Sequence, residues 1–274
     1  MKVDLHLHTN ASDGSWTPEE LVQHIVRAQI GLFSVTDHDS IQNVQSAKRF
    51  AAEVGVDFLA GVEVSATMSG QSFHIIGYGI DAEAEPLLKI LRHNVALLEE
   101  VNRDSIRKLI ADGFRIDYDE YCAYQHDLAR GGWKSLNFLI DKGFCLDVDD
   151  FFQNVFTLER GLGFPEFPSP AEVVDAIKAA GGVPVLAHPG STFHGAELER
   201  TLDLFGHQMI EGVECFHPGH DAATTKRVLQ WCNRHDLVVT GGSDCHGEFV
   251  PQRRLGVPEI LLEQLKLGKL SELV

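Results

Sequence analysis

Short apolar runs alternate with amphipathic stretches along most of the chain. Seven of these runs read as strands, at 3–8, 32–37, 58–63, 73–78, 183–188, 212–216 and 237–242. Most are continuously apolar rather than alternating, which is the pattern of parallel strands covered on both faces. Between them, "TPEELVQHIVRAQ" opens with Thr17 as N-cap, Pro18 at the first helical position and Glu20 three residues after the cap. That is a capping box and predicts a helix. "SPAEVVDAIKAAGG" repeats the grammar with Ser169, Pro170 and Glu172, and stops at Gly181. Strand, helix and strand in succession predict βαβ units, and seven strands suggest a barrel.

The rhythm breaks between 85 and 167. Residues 86–112 read as one long helix or two, with Leu87, Leu91, Leu98, Val101, Ile106, Leu109 and Ile110 apolar. Shorter helical pieces follow in "SLNFLIDKG" and "VDDFFQNVF". "LGFPEFPSP" then brings three prolines in nine residues, a linker back to the barrel. The expected organisation is a barrel from 1–84 and 168–274, with 85–167 a helical insert that caps the C-terminal ends of the strands and selects substrate.

Composition narrows the picture. The 274 residues suit one large α/β domain with an insert, and 44% hydrophobic content argues against disorder. No run approaches the ~18 apolar residues of a membrane span, and Asp4, His6 and His8 interrupt any leader-like segment, so a cytoplasmic protein is expected. Five cysteines without a C-x-x-C spacing fit a reducing compartment. The net charge of −17 disfavours a broad duplex-binding surface.

In a parallel α/β barrel, functional side chains gather at the C-terminal ends of strands. The first run ends in His6 and His8, which period two puts on one face. Asp13 follows in the next loop. The second leads into His38, the third ends at Glu63, the fifth at His188, the sixth leads to His217, and the seventh to Asp244 and His246. His74 is the exception, early in its strand, and needs that strand to be offset. So many imidazoles and carboxylates at one barrel end would be costly without cations. The simplest account is a multinuclear centre of Zn, Mn or Fe. Without thiolates among its ligands it is not a structural zinc site, and Cys245 should point away from it.

"DLHLHTNASDG", "TDHDS", "GVEVS", "AHPG" and "SDCHG", in this order, resemble the motifs of the PHP (polymerase and histidinol phosphatase) superfamily. The resemblance implies a distorted (β/α)7 barrel with two or three divalent metal ions, manganese first in activity and zinc or iron as alternatives. It implies that His6, His8, Glu63 and Asp244 hold one ion, that Glu63, His74 and His188 hold a second, and that Asp13, His38 and His246 hold a third. Some branches carry histidine where this chain has Asp13. Two metals about 3.5–4 Å apart lower the pKa of a bridging water and steady an in-line displacement, so phosphoester hydrolysis is the expected reaction. Asp244 either ligates only or also moves a proton.

Selectivity is expected from "LARGGWKSLNFLIDKG". Arg130 and Lys134 are cations suited to phosphate, and Ser135 and Asn137 add donors. In similar phosphatases of nucleotides a related stretch reads "RPHIAR". Here Arg130 matches its last arginine, while "QHD" replaces "RPH", leaving His126 either as a substitute or on the surface. His217 is placed for phosphate or metal, Trp133 either stacks on a base or packs in a core, and Arg253 or Arg254 can reach the substrate. The remaining histidines (His24, His93, His194, His207, His220, His235) read as surface or packing.

The expected partner is a small phosphorylated molecule, a nucleotide such as a nucleoside 3′,5′-bisphosphate or AMP, with no duplex nucleic acid or membrane and a monomer or small homo-oligomer. The alternatives are a 5′→3′ exonuclease on short oligonucleotides and a histidinol phosphate phosphatase. From a different class, a C–N amidohydrolase would want a lysine at the end of a middle strand, which this sequence lacks. A non-catalytic scaffold would have lost ligands, and all nine positions are filled.

Overall fold

The computed structural model describes residues 1–191 and 197–274, so His194 lies outside the described residues. The strands are β1 (Lys2–Asp4), β2 (Ile30–Val35), β3 (Asp57–Met68), β4 (Gln71–Tyr78), β5 (Val183–Leu186), β6 (Gly212–Phe216), β7 (Val238–Gly241) and β8 (Ile260–Leu261). They form one sheet in the order β7-β6-β5-β4-β3-β2-β1-β8. The sheet curls until β7 meets β1 again. Leu5 N–H reaches Gly241 O at 3.1 Å, Asp244 N–H reaches His6 O at 2.9 Å, and His8 N–H reaches Cys245 O at 3.0 Å. Seven strands thus ring the core, as expected of a distorted (β/α)7 barrel. β8, not foreseen in the sequence, pairs antiparallel with the outer edge of β1.

The ladders are shorter than the apolar runs. β1 ends at Asp4, with one further bridge from Leu7 to Cys245, so His6 and His8 lie beyond regular pairing. His38, His188 and Asp244 also lie past the ends of their strands.

One strand departs from the parallel expectation. β4 runs antiparallel to both β3 and β5. Only Ser69 and Gly70 separate β3 from β4, at φ of 55° and 72°. Two left-handed residues make a tight hairpin turn, and so short a connection leaves no room for the crossover a parallel pair needs. The reversal explains His74. The start of β4 lies at the same end as the finish of its neighbours, and His74 pairs with Ser65, two residues beyond Glu63.

The helices behave as their caps predict. α1 (Pro18–Ala28) and α7 (Pro170–Ala179) carry the Thr17/Glu20 and Ser169/Glu172 capping boxes. With α2 (Val44–Val54), α8 (Leu198–Met209) and α9 (Ala222–His235) they are the α-helices outside 85–167 among the described residues. Cys245 packs outward with Leu7, Leu21 and Phe33, away from the barrel mouth as expected.

The stretch 85–167 contains α3 (Glu85–Ala111), α4 (Tyr118–Ala123), α5 (Lys134–Asp141) and α6 (Val148–Asp150), which runs on into a π-helical turn at Phe151–Val155. α3 serves two cores. Leu87 and Leu91 pack on the barrel, while Ile106 and Leu109 join Tyr121, Leu136, Phe138 and Phe151 in a separate cluster. Among the described residues no helix is long and apolar enough to cross a membrane.

Candidate metal centre

Glu63 is the hub. Its fully buried carboxylate lies 3.1 Å from His6 Nε2, 3.4 Å from His8 Nε2, 3.1 Å from His38 Nδ1, 3.1 Å from His74 Nδ1 and 3.0 Å from His188 Nε2. Asp244 Oδ1 approaches His8 Nε2 at 3.0 Å and His6 Nε2 at 3.5 Å. Asp13 reaches His246 Nε2 at 3.4 Å, His8 Nδ1 at 3.7 Å and His38 Nε2 at 4.0 Å. All nine positions singled out in the sequence therefore meet in one place.

The donor atoms fall into overlapping groups, each within 4.8 Å: His8, Asp13, His38 and His246; His6, His188 and Asp244; His6, His8 and Glu63; His38, Glu63 and His74. His6, His8 and His38 each belong to two groups. The resemblance assigns each of these histidines to a single ion, whereas the geometry gives each of them neighbours in two groups.

The arrangement fits divalent cations. His6 and His8 point Nε2 atoms at each other across 3.1 Å. His8 Nδ1, His38 Nδ1 and Asp13 Oδ1 are buried and form no hydrogen bond. Lone pairs converging without protons between them are tolerable only around positive charge. The electrostatics agree. Burial pushes His6 down, but the Glu214, Glu63 and Asp244 carboxylates outweigh it and hold His6 well above the ordinary histidine value. A divalent ion held there would supply the positive charge those carboxylates call for. Burial, followed by repulsion from His246 and His38, pushes His8 down to about 3, which leaves it neutral and able to ligate. Burial alone would raise Glu63 and Asp244. The imidazoles around Glu63, and His6 with Arg253 beside Asp244, instead hold both carboxyls well below their usual range.

A supporting layer of acids was missed in the sequence. Glu214 on β6 accepts from His6 Nδ1 at 2.9 Å and from the His188 backbone N–H at 2.9 Å. It aims His6 Nε2 inward and anchors His188, whose φ is 26°. Asp4 accepts from the Ser243 and Gly256 backbone N–H groups at 2.8 and 2.9 Å, tying β1 to the loop that carries Asp244. Asp37 holds Thr9 and Ser12, and with them the turn that presents Asp13. Asp39 grips Ser65 and, from α3, Asn94. The available signal was an acid inside or just after an apolar run, since a buried carboxylate must be paired. Glu214→Gln offers the His188 N–H a donor or a weakened acceptor. It should lower metal affinity about 10–100-fold, as loss of a ligand-orienting carboxylate does. Metal retained after dialysis, measured by elemental analysis, checks this.

The close approach of β7 to β1 also shapes the centre. A Cβ on Gly242 would lie 2.3 Å from His6 N and 2.4 Å from His6 Cβ, so only glycine lets the two chains meet here.

The insert residues sit differently. Arg130 donates to Asp141 and Tyr124, Lys134 to the Cys122 carbonyl, Ser135 to Asn102, and Asn137 to the Gly131 carbonyl. These bonds run within the insert rather than to the cluster. His126 Nε2 lies 3.1 Å from Asn137 Nδ2. Trp133 packs edge-on to Phe151 and Phe249. The insert meets the centre through backbone: Gly132 N–H donates to Asp13 O at 2.8 Å, with Gly131 and Gly132 both at φ of 69°. His217 is buried at the cluster, with Nε2 3.1 Å from Asp244 Oδ2. Arg253 also pairs with Asp244 Oδ2. His220 is half-buried and packs between loops, accepting from Gly190 N–H at 3.0 Å.

A PHP domain model matches residues 4–148. The chain belongs to the PHP family. The PHP chain is 31% identical to the 3′,5′-nucleoside bisphosphate phosphatase of Chromobacterium violaceum, over 94% of this chain and 92% of that one. It is 28% identical to the 5′-3′ exoribonuclease Rnm of Escherichia coli, over 89% of this chain and 84% of that one. Among solved structures, a candidate metal-dependent phosphoesterase from Bifidobacterium adolescentis superposes with a TM-score of 0.79 at 27% identity, over 99% of this chain and 94% of that one. A Chromobacterium violaceum protein described as an amidohydrolase, with sulfate bound and no metal, gives 0.84 at 27% identity, over 100% and 96%. This PHP protein is a metal-dependent phosphoesterase, a hydrolase of phosphoester bonds.

Proposed function

We propose that the protein removes phosphate from small monoesters, foremost nucleotides such as nucleoside 3′,5′-bisphosphates or AMP-like molecules. The observation that carries this reading is the continuous nine-ligand cluster around Glu63, at the mouth of a barrel whose surface is too acidic to favour long polyanions. The bisphosphate phosphatase relative, aligned over nearly the whole chain, supports the substrate class.

His6, His8, Asp13, His38, Glu63, His74, His188, Asp244 and His246 would hold two or three divalent ions, with manganese as the first choice for activity and zinc or iron as alternatives. Such ions supply charge against the phosphate oxygens and acidify a water. The protein's own contribution is orientation and proton handling. Asp244 spans the cluster and His217, with Oδ1 toward His8 and His6 and Oδ2 toward His217, which suits it to relay a proton between a water at the cluster and His217. His217 donates through Nε2–H. Residues 85–167 act as the substrate-selecting cap. Arg130 and Lys134 contribute to phosphate binding only by exchanging their present partners, and Ser135 and Asn137 hold the α5 end of the cap. We place the protein in the cytoplasm.

The test is a panel of phosphate monoesters offered to the Mn²⁺-supplemented protein. Release from nucleoside bisphosphates or mononucleotides is expected, and no release from any ester would sink the proposal. The exoribonuclease relative favours a second reading, trimming of short RNA from its 5′ end. Faster turnover of a labelled trimer than of mononucleotides would select it.

A further inference from the structure

Asp244 divides two surfaces. Its Oδ1 faces His8 and His6, while its Oδ2 accepts from His217 and Arg253. The two donors are of a kind that binds anions. Gly219 N–H donates to His217 Nδ1 at 2.9 Å, which makes Nδ1 the acceptor and leaves the ring proton on Nε2. His217 therefore presents an N–H to the site and is not a lone-pair ligand for metal. Arg253 follows a turn closed by its own N–H to Val250 O at 2.9 Å, with Pro251 at the second position. Its side chain is 35% exposed, yet its guanidinium reaches an Asp244 side chain that is only 3% exposed. Among the described residues it is the one lysine or arginine paired with a member of the metal cluster, and the guanidinium has five donors in a fork that matches phosphate.

We infer that Arg253 and His217 form the phosphate-holding pair of this site: one non-bridging phosphate oxygen accepts from the Arg253 guanidinium and another from His217 Nε2–H, the two donors turning to the phosphate from Asp244 Oδ2 while Asp244 stays in the cluster. The inference rests on the phosphoester reading above and assigns Arg253 a role that reading leaves unfilled. His217 also lines a cleft of about 480 Å³ with Phe216, Lys226, Leu229, Gln230 and Pro258. His217 is the residue the cleft shares with the pair. The cleft lies along α9.

The test uses the Mn²⁺-loaded protein and inorganic phosphate as probe, read by calorimetry and by competitive inhibition of turnover. Arg253→Met should weaken phosphate binding about 10–100-fold, the worth of a charged hydrogen bond, and raise KM more than it lowers kcat. Manganese content should match wild type. Arg253→Lys should recover part of the loss, since it restores charge but not the fork. His217→Gln, which keeps an N–H donor, should fall between wild type and His217→Ala. Unchanged phosphate affinity in Arg253→Met would overturn the inference. So would a parallel loss of manganese, which would mean that Arg253 only balances the Asp244 charge. The calorimetry needs no ester. Wild-type protein that binds phosphate through Arg253 but releases none from the panel would refute the monoesterase reading and leave the pair standing.

Discussion

His8→Ala abolishes turnover, lowering phosphate release by at least about 10³-fold, or ~4 kcal/mol of barrier, while the fold survives. His8 is one of three imidazoles shared by two donor groups, here one with His6 and Glu63 and one with Asp13, His38 and His246. Its loss therefore opens both at once. The fold should tolerate the change because His8 lies beyond the β1 ladder and its backbone N–H still reaches Cys245 O. The imidazole is also crowded by His246, with ring centroids 4.0 Å apart, and by His38 at 4.5 Å. Phosphate release in excess Mn²⁺ and far-ultraviolet circular dichroism measure the two halves of the prediction. Near-normal activity in excess Mn²⁺ would remove His8 from the ligand set.

Stripping divalent ions with a chelator eliminates activity and lowers Tm, and both return with Mn²⁺. An ion at 100 times its Kd stabilises the folded state by about 2.7 kcal/mol, worth roughly 5–10 °C in a chain of this size. Without ions the cluster keeps five imidazoles around a single central carboxylate. Glu63→Gln should shrink the metal-dependent rise in Tm, because two of the four groups lose their anionic member while the Asp13 and Asp244 groups keep theirs. Differential scanning fluorimetry with and without Mn²⁺ reads this directly. Identical melting curves in chelator and Mn²⁺ for the wild type would contradict a metal centre.

Much of the centre was legible because its ligands are short motifs at strand ends, where period and proximity along the chain do most of the positioning. His6 with His8, and Asp244 with His246, are such pairs. The helix starts were legible for a similar reason. A capping box is a local hydrogen-bond exchange over four residues, and both predicted boxes form. The Ser69-Gly70 turn was hidden because the apolar runs stop at 63 and restart at 73, while the paired strands extend to Met68 and from Gln71, and only that extension reverses β4 and brings His74 into place.

Other features depend on groups far apart in the chain. Glu214 meets His6 across 208 residues, and Asp4 meets Ser243 across 239. Arg130 matches a phosphate-binding motif by sequence, but its partner is settled by the α5 fold, which brings Asp141 to it. Arg253 had no motif to distinguish it from Arg254, and only the turn at 250–253 carries its guanidinium to Asp244. The sequence by itself determined the ligand types, their order and the strand ends that bear them, because these follow from local backbone geometry. The tertiary structure alone decided which carboxylates orient those ligands, which ligands are shared and which cation faces the site, because pairing buried charges depends on barrel closure.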